Sequence, residues 1–163
     1  MDLERVNADE LKVVITEDKI IESILAVANY YTSKNMPSSI ICDMDGIKQI
    51  PVYSKGDFNA FYRHCVNIRF DAKSSVCELV AKRLQRGDSG NFYMIATGKL
   101  NKDLYLISLQ AITQGNRVCI LYVSDDVSEE SKILKEDMIK AGVDVYQILP
   151  GEEIENVLSS KAI

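Results

Sequence analysis

Three short, almost unbroken apolar stretches constrain the fold of this chain more than any other feature. They are residues 92–97 (Phe-Tyr-Met-Ile-Ala-Thr), 118–124 (Val-Cys-Ile-Leu-Tyr-Val-Ser) and 143–149 (Val-Asp-Val-Tyr-Gln-Ile-Leu). Between them lie segments of helical periodicity at 103–112 and 129–141, the second ending at Gly142. A strand that is apolar on both sides must be covered on both faces. Strands of that kind alternating with helices specify a mostly parallel sheet between helical layers. Right-handed crossovers then set the local topology.

The amino-terminal half has a different pattern. From Thr16 to Tyr31 the apolar residues Ile20, Ile21, Ile24, Leu25, Val27 and Ala28 recur at helical spacing, with Thr16 as the expected cap. Residues 11–15 are expected as a short strand or an extended lead-in. Pro37 ends the helix. Residues 39–43 read as a buried strand, Met44-Asp45-Gly46 as a turn, and 47–53 as the returning strand of a hairpin. Pro51 puts that return strand at a sheet edge, where a missing N–H is tolerated. Helices are expected at 57–67, from Ser74 or Ser75 to about Gln85, and at 152–159. The expected fold is an α/β, three-layer α/β/α sandwich, with a mostly parallel sheet and one antiparallel edge hairpin, in a single domain spanning 1–163.

Charge excludes one large class of function. Nineteen basic and 24 acidic residues give a net charge of −5, without the basic stripe that a nucleic-acid binder needs to displace counterions. Lys82, Arg83 and Arg86 fall at a helix end, where they complement the helix dipole. No apolar run approaches the roughly 18 residues that would span a bilayer. The acidic opening Met1-Asp2-Leu3-Glu4 is unlike a signal peptide. The expected location is cytoplasmic, with no membrane contact by these residues. Cys42, Cys65, Cys77 and Cys119 have no metal-ligand spacing and read as free thiols, most of them buried. His64 has no partner at an interpretable spacing and reads as structural.

Ligands of open α/β sheets bind beyond the carboxyl ends of the strands. Here those ends carry Asp43, Thr97-Gly98, Ser124-Asp125-Asp126 and Pro150-Gly151. The run Ile40-Ile41-Cys42-Asp43-Met44-Asp45-Gly46 resembles the first motif of the haloacid dehalogenase-like phosphatases. That resemblance implies a magnesium-dependent enzyme with Asp43 as nucleophile and Asp45 as acid/base. Thr97, then Lys99 or Lys102, then Asp125-Asp126 would stand in for the later motifs. Residues 47–53 alternate as a returning strand, however, and the φ > 0 demand of a tight turn accounts for Asp45-Gly46. The turn is the preferred reading. Thr97-Gly98-Lys99 has a phosphate-loop flavour without the surrounding Walker frame. It supports a second alternative, a Rossmann-like small-ligand sensor holding an anion at a helix start. In Asp125-Asp126-Val127-Ser128, Ser128 caps a helix and the acids suit its positive end.

The order of elements resembles the von Willebrand factor A-like fold with its first strand largely missing. Within that fold three stretches are similar to the carboxy-terminal domain of the MoxR-associated family, domain of unknown function number fifty-eight. They are Glu17-Asp18-Lys19-Ile20-Ile21-Glu22-Ser23 running into Ala26-Val27-Ala28-Asn29-Tyr30-Tyr31, then residues 37–41, then 100–150 with Gly115-Asn116-Arg117-Val118 and Gly142-Val143-Asp144-Val145. The resemblance implies a non-catalytic adaptor or co-chaperone-like domain. Its partner would be a protein such as a MoxR-type AAA ATPase, and the parent chain would be longer and membrane-anchored. The fold's metal site needs Asp-x-Ser-x-Ser. Asp2-Leu3-Glu4-Arg5-Val6 lacks both serines, and Ala96-Thr97-Gly98 lacks the later aspartate. No metal, cofactor or catalytic residue is therefore expected.

Overall fold

The computed structural model describes residues 1–5, 9–87 and 89–154. Its elements run α1 (Glu10–Ser33), β1 (Ser38–Asp43), β2 (Ile47–Val52), α2 (Lys55–Cys65), α3 (Val76–Leu84), β3 (Phe92–Thr97), α4 (Lys102–Thr113), β4 (Arg117–Val123), α5 (Glu129–Lys140) and β5 (Asp144–Ile148). From residue 155 on, the expected helix at 152–159 lies outside the described residues.

Helix α1 starts earlier than its apolar pattern suggests. Asp9 caps it by accepting from the Lys12 N–H at 3.0 Å, and Thr16 is a buried interior residue, not the cap. Residues 11–15 are thus the first turns of a helix, not a strand. Among the described residues no strand lies alongside to pair with them, and the helix satisfies their backbone groups internally. Their β-branched side chains simply remain outside, with Val14 and Ile15 exposed. Helix α2 also starts earlier than expected. The Ser54 hydroxyl accepts from the Asp57 N–H while the Asp57 carboxylate accepts from the Ser54 N–H, which fixes the first turn from both sides.

The strands form two ladders. β1 and β2 are antiparallel, with Asp43 opposite Ile47 and Ser39 opposite Pro51. Met44-Asp45-Gly46 is the turn between them, Asp45 and Gly46 having φ of 51° and 109°. Pro51 lies on an edge strand, as its missing N–H requires. β3, β4 and β5 are parallel in that spatial order. The expected single sheet is therefore divided, and residues 1–4 connect its parts. The Met1 nitrogen donates to the Ile41 carbonyl at 2.8 Å, and the Asp2 N–H donates to the Ala96 carbonyl at 3.1 Å. The Ala72 N–H donates to the Leu3 carbonyl at 3.1 Å, tying the loop before α3 to the same segment.

Strand alternation divides the interior in two. On β4, Cys119, Leu121 and Val123 face α1 together with Met1 and Leu3, while Val118, Ile120 and Tyr122 face α3 and α4. Helices thus cover both faces of the parallel ladder, giving an α/β sandwich. Among the described residues no helix is long and apolar enough to cross a membrane.

Leu3 is 1% exposed at the centre of the α1-side core. Leu3→Ala is expected to cost about 3 kcal/mol, typical of a buried leucine truncation. Urea unfolding of the variant measures it, and a loss near zero would mean that residues 1–4 do not belong to the cooperative core.

Candidate functional site

The loops at the carboxyl ends of β1 and β3 bring together residues that are far apart in sequence. The alternation Met1-Asp2-Leu3-Glu4 is the local cause. Met1 and Leu3 point into the α1-side core, so Asp2 and Glu4 project to the opposite side. There the Thr97 hydroxyl, fully buried, donates to Asp2 Oδ2 at 2.6 Å, and Asp2 itself is only 3% exposed. A short hydrogen bond to a charged acceptor is stronger than a neutral one. The other Asp2 oxygen accepts from the Glu4 N–H at 3.1 Å, and the Thr97 oxygen accepts from the Lys99 N–H at 3.2 Å. Above this pair the Lys99 ammonium lies 2.9 Å from Glu4 Oε2. The result is a small closed network in which each carboxylate has a partner.

Asp43 is held just as firmly. Its Oδ1 accepts from the Gly46 N–H at 2.9 Å and its Oδ2 from the Ser74 N–H at 2.8 Å. The Ser74 backbone bond, followed by the turn amides, lowers the Asp43 carboxyl below its ordinary value of 3.8. Asp43 therefore clamps its own turn and the loop before α3. Asp45 sits at the exposed tip of the turn in the left-handed region. Across the turn Asp43 is buried while Asp45 is exposed.

The other candidates fall elsewhere. Lys102 is an exposed residue in the first turn of α4, which Asn101 caps by accepting from the Leu104 N–H at 2.8 Å. Asp125 pairs with Lys12 of α1, and this contact lowers Asp125 and raises Lys12. Asp126 accepts from the hydroxyls of Ser131 and Ser128 and from the Ser128 N–H, which lowers its carboxyl in turn. Ser128 caps α5, as the sequence predicts. His64 is exposed in the last turn of α2. The four cysteines are free, and burial raises each thiol: Cys65 to about 11, Cys77 to about 11 and Cys119 to about 12. Cys77 is the one near the Asp2–Thr97 network, where Asp103, Asp2 and Glu4 add to the effect of burial. At neutral pH none of these thiols has useful thiolate character. Among the described residues no group of three or more His, Cys, Asp or Glu is placed to hold a metal ion.

Sequence reading missed the Asp2–Thr97 bond and the Asp43–Ser74 clamp. The apolar–acidic alternation of residues 1–4 is the signal that could have found the first. The second depends on a loop with no periodicity. No protein-family model matches the chain, and no curated protein matches its sequence.

Because the Asp43 carboxyl is lowered in the folded state, its stabilisation is full above the ordinary carboxylate range. It is lost as pH falls through the folded value. Asp43→Asn leaves one of two backbone donors facing an amide NH2. The variant is expected to have a lower urea midpoint at pH 7, with the gap to wild type closing as pH drops below about 3.8. Urea midpoints across pH 2.5–7, a span of about five pH points chosen around the carboxylate range, test this. A gap independent of pH would refute the clamp.

Proposed function

We propose that the chain is a von Willebrand factor A-like interaction domain acting as an adaptor for a protein partner of the MoxR-type AAA ATPase class. The arrangement of residues 1–4 between β1 and β3, with an antiparallel hairpin on one side and three parallel strands on the other, supports the fold assignment. The single observation that carries the functional reading is the closed network at the strand ends. Asp2, Glu4 and Asp43 are each engaged by the protein's own donors, which leaves the surrounding loops as a surface for contact.

The residues do not suit the divalent ion that the wider fold binds. Such an ion needs about six oxygen ligands in a compact shell. Asp2 Oδ2 accepts the hydrogen bond of the Thr97 hydroxyl instead, and the Lys99 ammonium supplies a positive charge beside Glu4. Val6 has no side-chain oxygen in the position of the second serine. No step in the proposed function runs through a metal.

The contact surface combines residues 97–101 with 124–128. Val127 is 72% exposed there, an apolar side chain at the tip of an acidic loop. Val127→Asp is expected to leave the urea midpoint unchanged and to weaken binding to a MoxR-type ATPase by about tenfold, the effect of losing one interface anchor. Calorimetric titration measures the binding. Equal affinity of variant and wild type, or phosphate-ester turnover that Asp43→Asn abolishes, would overturn the reading.

A metal titration provides an independent check. Magnesium or manganese is expected to shift Tm by less than about 1 °C, since a ligand that does not bind the native state adds no stability. A rise of several degrees at sub-millimolar metal would restore the ion site.

A further inference from the structure

Between β1 and β3, at the end of the sheet away from the Asp2–Thr97 network, lies a cleft of about 1030 Å³. Its side walls are two strand edges: residues 38–41 of β1 and 92–95 of β3 all line it. Among the described residues β1 is laddered only to β2, and β3 only to β4. The other two walls are helical. Ile24, Val27 and Ala28 of α1 line one face, and Val76, Leu79 and Val80 of α3 the other. The cleft therefore passes through the sheet layer itself, open to both helical layers.

Residues 1–4 define the register at its inner end. The Met1 nitrogen bonds to Ile41 and the Asp2 N–H to Ala96, so Met1 lies level with Cys42 and Ala96. Extending the same parallel register back along the walls puts one residue beside Ile41 and Ile95, and further residues beside each earlier pair, until four have passed Ser38 and Phe92. At about 3.3 Å per residue this is a segment roughly 13 Å long. The wall strands record the gap: β4 is buried from Val118 to Val123, whereas Phe92, Tyr93 and Met94 at the start of β3 are only half-buried or exposed.

We propose that this cleft is a strand-acceptor site for a four-residue extended apolar segment joined to the nitrogen of Met1 and parallel to both β1 and β3. Such a segment bridges β1 to β3 along their full length and unites the two ladders into one six-stranded sheet. Its side chains alternate, the residue next to Met1 facing α3 and the one before it facing α1. The α1 and α3 walls are mainly apolar, with Arg83 on the α3 side, so the segment is apolar on both sides, as in a strand buried within a parallel sheet. A peptide N–H at Met1 makes the same bond to Ile41 without a charge to desolvate. Joining also spares the entropy that a separate peptide would lose on docking.

The test compares the 163-residue chain with versions extended at Met1 by Val-Ile-Val-Ile, by Gly-Ser-Gly-Ser, and by Val-Asp-Val-Asp. The apolar extension is expected to raise Tm by about 5 °C or more. It should also slow amide exchange at Ser39, Ile41 and Met94 by about tenfold or more. The Gly-Ser and aspartate versions are expected to do neither. Equal exchange in all four proteins would overturn the proposal. So would equal protection of the unextended chain by the free peptide acetyl-Val-Ile-Val-Ile-amide, which would reassign the cleft to a separate partner strand. A Val-Ile-Val-Ile version that loses cooperative unfolding while the Gly-Ser version keeps it would also overturn the proposal.

Discussion

The fold depends on how residues 1–4 are held. The Met1 nitrogen reaches β1, the Asp2 N–H reaches β3, and the Leu3 carbonyl accepts from Ala72. These contacts join a two-stranded hairpin and a three-stranded parallel ladder that share no strand. A two-stranded hairpin is marginal by itself. Here it gains its stability by packing Ile40, Cys42 and Val52 into the same core as Met1 and Leu3. The segment has no regular secondary structure, but its main-chain hydrogen bonds bridge the hairpin to the parallel ladder, alongside the direct packing of α1 on β3 and β4.

The same segment determines the chemistry of the strand ends. In a strand-like stretch, burying Met1 and Leu3 necessarily turns Asp2 and Glu4 to the other face. A buried carboxylate must be paired or hydrogen-bonded, and Thr97 meets that need for Asp2, while the half-buried Glu4 pairs with Lys99. Asp43 is satisfied by two backbone N–H groups from different loops. The acids at this end of the sheet therefore serve the fold first. Asp43, the first acid of the Asp43-Met44-Asp45 run, is thereby tied to the main chain of its own turn and of the loop before α3.

Much of the architecture was legible in the residues. The strands at 92–97, 118–124 and 143–149 lie within a residue of their predicted ends because short, nearly continuous apolar runs suit strands covered by helices on both faces. The hairpin followed from Asp45-Gly46 and Pro51, whose backbone demands are local. Ser75 and Ser128 act as caps for the same reason. The start of α1 was not legible. Its β-branched run from Val13 to Thr16 has strand propensity, and a run of that kind becomes a strand only where a neighbouring edge exists to pair with it.

The alternation of helices and strands, the hairpin and the caps can be read from the order of residues alone. Each rests on the periodicity or the backbone chemistry of a few adjacent residues. That Asp2 meets Thr97, 95 residues away, and that Asp43 clamps Ser74 emerges only once the chain is folded. The same holds for the cleft between β1 and β3. Those relations arise from which strand edges end up side by side, and no local pattern encodes the distance between two edges.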